Sequence, residues 1–340
     1  MNLQRLRERK YTRMKTKTLK AGAYPLAALL SSIPLTVAHA QLALPPDAIG
    51  QFQHIVGDRV EAVTILGGDY GAAGGVYSFR GGDMVDLDIA KIGGGGIVAD
   101  PKPLGLGGLQ WAPVLQGNLG HMSAQNTFAT GYLEGNGSLY DLLAVEAGGG
   151  ARFLFNDHFS LTPTISGIYG HTENTFQPRN AVGDFIEANG SGTVVDWKLD
   201  TWSVVPSLEA QYTWQWKRTT FEFNSRYDYF HTESFQSTSP VIGVSGDSHT
   251  WENKLDVDVP LGWKLFEREL HTGGFFSRTE LFGGAAAGLN EDHLYAVNGR
   301  LVLDLLGKVW KVRWLGIGYS YFWGDHFNGW SVGADLRLKF

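Results

Sequence analysis

The sequence predicts an all-β protein, a transmembrane antiparallel β-barrel of about twelve strands, with ten and fourteen as the neighbouring counts. Three observations predict it. Past residue 40 no run of 18 apolar residues exists, whereas apolar and polar residues alternate over stretches up to about three times as long as a soluble strand. The apolar face of these stretches carries aromatic residues at its ends and aliphatic ones between, where the two interfaces of a bilayer place amphipathic rings. The chain also opens with an export leader and contains no cysteine, so no disulfide, thiolate metal site or thiol nucleophile stands in for packing.

Composition removes the competing classes. Glycine is abundant, 45 of 340 residues, but has no three-residue period and is accompanied by only 12 prolines, so the chain is not collagen-like. A 43% hydrophobic content that includes 13% aromatics is too high for disorder. The length suits one large all-β unit.

The elements follow in order. Residues 1–40 read as a secretory signal: Arg5, Arg7, Arg9, Lys10, Arg13, Lys15, Lys17 and Lys20 face one acid, Glu8, and precede an apolar stretch, Ala21 to Val37, that ends in Ala38-His39-Ala40. Pro25, Ser31, Ser32 and Pro34 make that stretch a poor spanning helix. The mature start falls at Gln41. Without the leader's eight bases and one acid, 20 basic residues face 33 acidic ones, a net of −13, which disfavours nucleic acid as a partner.

Residues 41–69 form a short N-terminal segment, with Pro45-Pro46-Asp47 followed by a mixed apolar run (Phe52, Ile55, Val56, Val60, Val63, Ile65). From residue 70 the barrel pattern takes over. Strands are expected near 74–81, 84–93, 107–120, 140–155, 158–172, 194–217, 219–234, 248–265, 274–290, 293–306, 311–324 and 327–340. The clearest runs from Trp251: Leu255, Val257, Val259, Leu261 and Trp263 share one face, against Glu252, Lys254, Asp256, Asp258 and Lys264. The stretch Trp202 to Trp216 repeats it, with Val204, Leu208 and Tyr212 opposed by Ser203, Ser207, Glu209 and Gln211. With the N-terminus in the periplasm, tight turns at Asn156-Asp157, Lys217-Arg218 and Gly307-Lys308 fall on the periplasmic side, and long polar loops at 121–139, 173–193 and 235–247 on the outer side. Short outer turns are expected near 82, 291 and 325.

The chain ends Trp330-Ser331-Val332-Gly333-Ala334-Asp335-Leu336-Arg337-Leu338-Lys339-Phe340. This alternation with a terminal Phe resembles the signal read by the outer-membrane barrel assembly machinery, carried here by Trp330, Val332, Leu336, Leu338 and Phe340. Length and strand count are similar to the translocator barrel of autotransporters, and in particular to the solitary barrels that lack a passenger, over residues 70–340. The resemblance implies residence in the outer membrane of a Gram-negative cell after Sec export, contact with outer-membrane lipid and lipopolysaccharide, and assembly by that machinery. About 30 residues between Gln41 and the first strand are too few for a secreted passenger. In the resembling family a helix threads the lumen ahead of the first strand. The residues 41–69 themselves leave a lumen helix, an extra strand and a periplasmic tail open.

Candidate functional residues fall into three groups. Trp202, Trp216, Trp251, Trp263 and Trp330 are expected to anchor the barrel at the membrane interfaces. Arg226, Glu252, Lys254, Arg278, Glu280, Arg300 and Arg337 are expected in the lumen, where their alternating signs favour a salt-bridged filling over a single-sign pore. His121, His171, His231, His249, His293 and His326 map to the outer rim, and the repeat His171-Thr172-Glu173-Asn174 and His231-Thr232-Glu233-Ser234 would supply the acid–base pair of an outer-membrane hydrolase, the competing reading. No nucleophile elbow, zinc-protease motif or phosphate loop is present, and Gly93 to Gly96 lacks the Lys-Ser/Thr that a phosphate loop needs. The expectation is a non-enzymatic barrel, a narrow channel or a structural surface protein, with no metal and no cofactor. The oligomeric state is not set by the sequence.

Overall fold

The computed structural model describes residues 74–81, 86–105, 107–127, 135–305 and 312–338. The leader, the segment 41–69 with its open alternatives of helix, strand or tail, the turn expected at Gly307-Lys308, and Phe340 lie outside the described residues.

Twelve long strands follow one another: β1 (Gly74–Gly81), β2 (Asp86–Ile97), β3 (Gln110–Thr127), β4 (Gly137–Leu154), β5 (Phe159–Gln177), β6 (Lys198–Trp216), β7 (Thr219–Ser237), β8 (Ser245–Leu265), β9 (Arg268–Gly283), β10 (His293–Asp304), β11 (Val312–Trp323) and β12 (Phe327–Leu338). Each pairs antiparallel with the next, and β1 returns to pair with β12 from Gly75↔Gly333 to Gly81↔Phe327, so the sheet closes on itself. A two-residue strand, Lys102–Pro103, pairs with the first residues of β3. Closure is what lipid demands, because an open edge would leave backbone groups without partners.

Loop length orients the barrel. Turns at 155–158, 217–218 and 266–267 close one end, the periplasmic one. At the outer end, the β5–β6 connection folds into a helix, α1 (Ala181–Gly190), whose N-cap Asn180 side chain accepts the Gly183 N–H at 2.9 Å. Its Ile186 packs with Phe176, Val194 and Val195.

Two expectations change here. The strand expected at 274–290 runs instead from Arg268 to Gly283 and is followed by a six-residue helix, α2 (Gly284–Leu289). Phe266 and Glu267 both have positive φ, which makes a two-residue hairpin connection of the primed kind and starts β9 early. Gly283, at φ 72°, ends it, and the Ala-rich run beyond prefers helix to strand. The outer loops are also shorter than expected, because β3, β5 and β7 continue to Thr127, Gln177 and Ser237. A 19-residue strand such as β5 is about 60 Å long and, tilted ~40°, rises ~45 Å, well beyond an apolar band of ~25 Å. The surplus stands clear of the membrane on the outer side.

The pleat divides each strand between the two faces. On β5 the even residues Ser160, Thr162, Ser166, Ile168, Thr172 and Asn174 are buried toward the lumen, while Ile165 and Tyr169 are exposed toward lipid. The lumen itself is layered. In its outer half Tyr77, Phe79, Leu87, Ile89, Met122, Leu142, Ile168, Val205, Phe230, Leu281, Leu294 and Phe322 form one apolar cluster, into which α2 inserts Ala285 and Leu289. Each of the larger side chains contributes about 1.5–3 kcal/mol by leaving water. Below this layer, toward the periplasm, the lumen is polar.

Candidate functional site

The polar half of the lumen is a network of paired charges. Arg300 donates twice to Asp256, at 2.7 and 2.5 Å, across the intervening Gly273 of β9, and both side chains are almost fully buried. Arg226 lies 2.8 Å from Asp228 and stands in register with Glu209 on β6 and Glu252 on β8. Arg152 reaches Glu209 at 3.4 Å. The Lys254 ammonium sits 5.6 Å above the Phe275 ring, a cation–π contact. His271 bonds Asp258 at 2.8 Å. Glu146, itself buried, accepts from the side-chain amides of Gln116 at 2.9 Å and of Asn118. The space left includes a cavity of about 200 Å³ between Gln116, Asn118, Arg152, Thr162, Glu209 and Arg226, and a wider one of about 1890 Å³ whose lining includes Lys91, Gln116, Arg152, Glu209, Asn224 and Lys254.

Arg226, Glu252, Lys254 and Arg300 thus sit on the inward face. Arg278 and Glu280 do not. Their neighbours Ser277, Thr279 and Leu281 are buried inward, so Arg278 and Glu280 face outward, 2.7 Å apart, with the Arg278 guanidinium 5.6 Å from the Tyr295 ring. The adjacent Phe275 and Phe276 made either parity readable from the sequence; the structure points Phe275 into the lumen and Phe276 to lipid. The backbone of Arg337 pairs with Trp314.

The outer rim brings together residues that the sequence held apart. His171 lies opposite Asp200 in the β5–β6 register, with its Nδ1 2.6 Å from Asp200 and its Nε2 3.2 Å from Glu173. Glu173 lies opposite Lys198, whose ammonium donates to it at 2.6 Å, and the Tyr169 hydroxyl donates to Asp200 at 2.8 Å. The same figure recurs one hairpin on. His231 lies opposite Asp247, its Nδ1 2.8 Å away, with Glu233 at 3.4 Å from Nε2, and the Tyr229 hydroxyl donates to Asp247 at 2.7 Å. These groups stand beyond the apolar band. The Asp200 hydrogen bond raises the imidazole of His171 above its ordinary 6.5, and Asp247 does the same to His231. Lys198, then His171, hold Glu173 below the usual carboxylate range. Burial works against the charge of Asp200, but its bonds to His171 and Tyr169 outweigh this and lower it; His231 and Tyr229 lower Asp247.

Both clusters face outward from the barrel wall, on separate hairpins. His171 and Glu173 therefore do not converge with His231 and Glu233 on a shared cleft, and the hydroxyls they engage are phenols already donating to carboxylates. Among the described residues no group of three or more His, Asp or Glu side chains is placed to hold a metal ion. Sequence reasoning missed Tyr169, Lys198, Asp200 and Tyr229. The tyrosines were visible as a longer repeat, Tyr169-Gly-His-Thr-Glu and Tyr229-Phe-His-Thr-Glu; the partners on β6 emerge only once the register is known.

Outward aromatic residues form two belts. Tyr169, Trp202, Tyr227, Trp251, Tyr319, Tyr321 and Trp330 lie toward the outer end of their strands, and Phe159, Tyr212, Trp216, Phe223 and Trp263 toward the periplasmic end. The ten residue-to-residue steps from Phe159 to Tyr169 rise ~25 Å along a strand tilted ~40°, the height of a bilayer's apolar band. In β12, Trp330 and Val332 are exposed to the outside, and the backbones of Leu336 and Leu338 pair with Leu315 and Val312.

The family described as "Solitary outer membrane autotransporter beta-barrel domain" matches residues 107–333. The beta domain of the Bordetella autotransporter BrkA superposes with a TM-score of 0.52 at 16% identity, covering 79% of this chain and all of that one. The transport unit of the autotransporter AIDA-I from Escherichia coli gives 0.50 at 10% identity, covering 78% and 88%. At such identities the likeness concerns the fold. No curated protein sequence matches the chain significantly. With a closed barrel, paired aromatic belts and a family match over most of its length, the chain belongs to the solitary outer-membrane autotransporter β-barrel family and resides in the outer membrane of a Gram-negative cell.

Proposed function

We propose that the barrel is a closed, non-enzymatic resident of the outer membrane, a structural and surface-presenting protein and not a conduit. The observation that carries this reading is the apolar layer in the outer half of the lumen. Phe79, Leu87, Met122, Leu142 and Phe230, all at most 3% exposed, pack there with Ala285 and Leu289 of α2. An ion moving along the axis would shed its hydration in an apolar medium, which costs many kcal/mol. The salt-bridged layer below supports the same reading, since its charges point at one another. Trp202, Trp216, Trp251, Trp263 and Trp330 then serve as interface anchors, and the C-terminal sequence Trp330 to Phe340 as the signal for the assembly machinery. Planar-bilayer recording of the purified barrel tests the reading: silence is expected, and steady unitary conductance at moderate voltage would overturn it.

A further inference from the structure

β1 is the shortest of the twelve long strands, and below it the wall has a notch. The pairing of β1 ends at Gly74↔Ile92 on one side and at Gly75↔Gly333 on the other. Toward the periplasm β2 continues through Gly93–Ile97, and β12 through Ala334–Leu338. Among the described residues these two stretches have no partner on the β1 side: the first pairs with β3 alone and the second with β11 alone. On β12 they lie about 10 to 20 Å below Trp330 along a strand tilted ~40°, inside the apolar band. The cavity of about 1890 Å³ passes through the notch, since its lining joins the lumen side chains Arg152, Glu209 and Lys254 to the lipid-facing Ile92, Leu115 and Ile317.

A bilayer does not tolerate such an opening. Edge N–H and C=O groups find no water there, and the charges of the inner lumen would meet acyl chains. The notch therefore takes a strand of about five residues whose inward side chains are small. Small, because Asn118 and Gln116 already lean across the inward positions of β2, where a Cβ on Gly93 would meet the Asn118 side chain at 1.7 Å and one on Gly95 that of Gln116 at 2.8 Å. The five residues ahead of Gly74, Asp69-Tyr70-Gly71-Ala72-Ala73, answer to this description. Continuing the β1 register sets Ala73 between Gly93 and Asp335, Ala72 between Gly94 and Leu336, Gly71 between Gly95 and Arg337, and Tyr70 between Gly96 and Leu338. Parity follows from the strand above, where Tyr77 and Phe79 are buried inward and Val76 is exposed to lipid. Ala73 and Gly71 then take the crowded inward positions. Ala72 and Tyr70 take the lipid face, with Tyr70 at the height of the periplasmic aromatic belt. Asp69 ends the run at an inward position that the same register brings to Lys339, an opposite charge.

We infer that residues 69–73 dock in this notch as the periplasmic half of β1 and seal a side passage between the inner lumen and the bilayer. The tether favours this segment over a strand from a second copy or another protein: joined to Gly74, it meets the two edges at an effective concentration of about millimolar or more. Sealing of the wall is independent of whether the axis conducts, so planar-bilayer recording and the cross-linking below test the two separately.

The chain has no cysteine, so engineered pairs report without background. In the full chain, A72C/L336C and A73C/D335C occupy directly opposed positions of the inferred ladder, the first on the lipid face and the second on the lumen face. Opposed pairs alternate between two spacings, so one of these two has Cα atoms ~4.5 Å apart, which a disulfide spans. Mild oxidation of the folded barrel in outer-membrane vesicles should join at least one pair within the chain, read by mass spectrometry of the linked peptides. The yield is expected to be about tenfold above that of A72C/L315C, whose second cysteine stands opposite Leu336 on β11 and so ~10 Å from the first. Heat-modifiable migration on a gel verifies that each variant is folded. No link within the chain for either opposed pair, an equal yield from A72C/L315C, or links found only between chains, the mark of a second copy in the notch, would each overturn the proposal.

Discussion

Removing the Arg300 guanidinium is the sharpest way to ask whether the inner lumen is packed or wet. Arg300 and Asp256 meet through two parallel N–H bonds at 2.7 and 2.5 Å, with side chains 5% and 8% exposed. At an effective dielectric of 20, opposite charges ~3 Å apart attract by about 5 kcal/mol, an attraction largely offset by the desolvation of both. Breaking such a pair strands the other charge, at a cost of about 3–5 kcal/mol, whereas replacing both by apolar residues is about neutral. Arg300→Met should therefore lower stability by several kcal/mol, and adding Asp256→Leu should restore most of the loss. Urea unfolding in lipid vesicles, followed by tryptophan fluorescence, reads both values. In a hydrated lumen the pair would behave like a surface salt bridge, worth at most about 1 kcal/mol and screened by salt. A loss that small for Arg300→Met would refute the packed reading.

Phe230→Ala should destabilise the barrel by about 3–5 kcal/mol, since the ring is 1% exposed in the apolar layer; a change within error in the same unfolding assay would show that this layer is loose. Gly283→Ala should lower the thermal midpoint, because the position has φ 72° and a Cβ would meet the Asp247 carbonyl oxygen at 2.2 Å; differential scanning calorimetry decides. The rim histidines give a pH window. His171 and His231 are raised, so their pairing is fully present below pH 6.5 and lost as pH rises through their folded values, while Glu173, Asp200 and Asp247 are lowered, so theirs is present above 3.8–4.5 and lost as pH falls. NMR titration should put the His171 midpoint above 6.5 in the native barrel and nearer it in Asp200→Asn; equal midpoints in the two proteins contradict the pairing.

The parts of this fold legible in the sequence are those governed by one strand at a time. Period-two alternation fixes which residues of β6 and β8 face lipid, because a one-residue slip would put Glu252 or Asp256 into hydrocarbon. It is silent where both parities look alike, so that Phe275-Phe276 conceals the outward turn of Arg278 and Glu280, and where a Gly-Ala run carries no pattern, so that α2 is not distinguished from strand. It also cannot show the lumen's layering. Leu87 and Ile89, Met122 and Ala124, Leu142 and Ala144, Phe230 and Phe322 come from five strands, one or two apolar side chains from each. They become a layer only when tilt and register bring them to one height. The rim clusters obey the same rule. His171 and Glu173 were visible as a dipeptide-spaced repeat, but the Asp200 and Lys198 that give them their charge state lie on the next strand, 25 and more residues away. In a closed barrel, then, function is written across strands, at positions that share a height, and sequence alone shows only the columns.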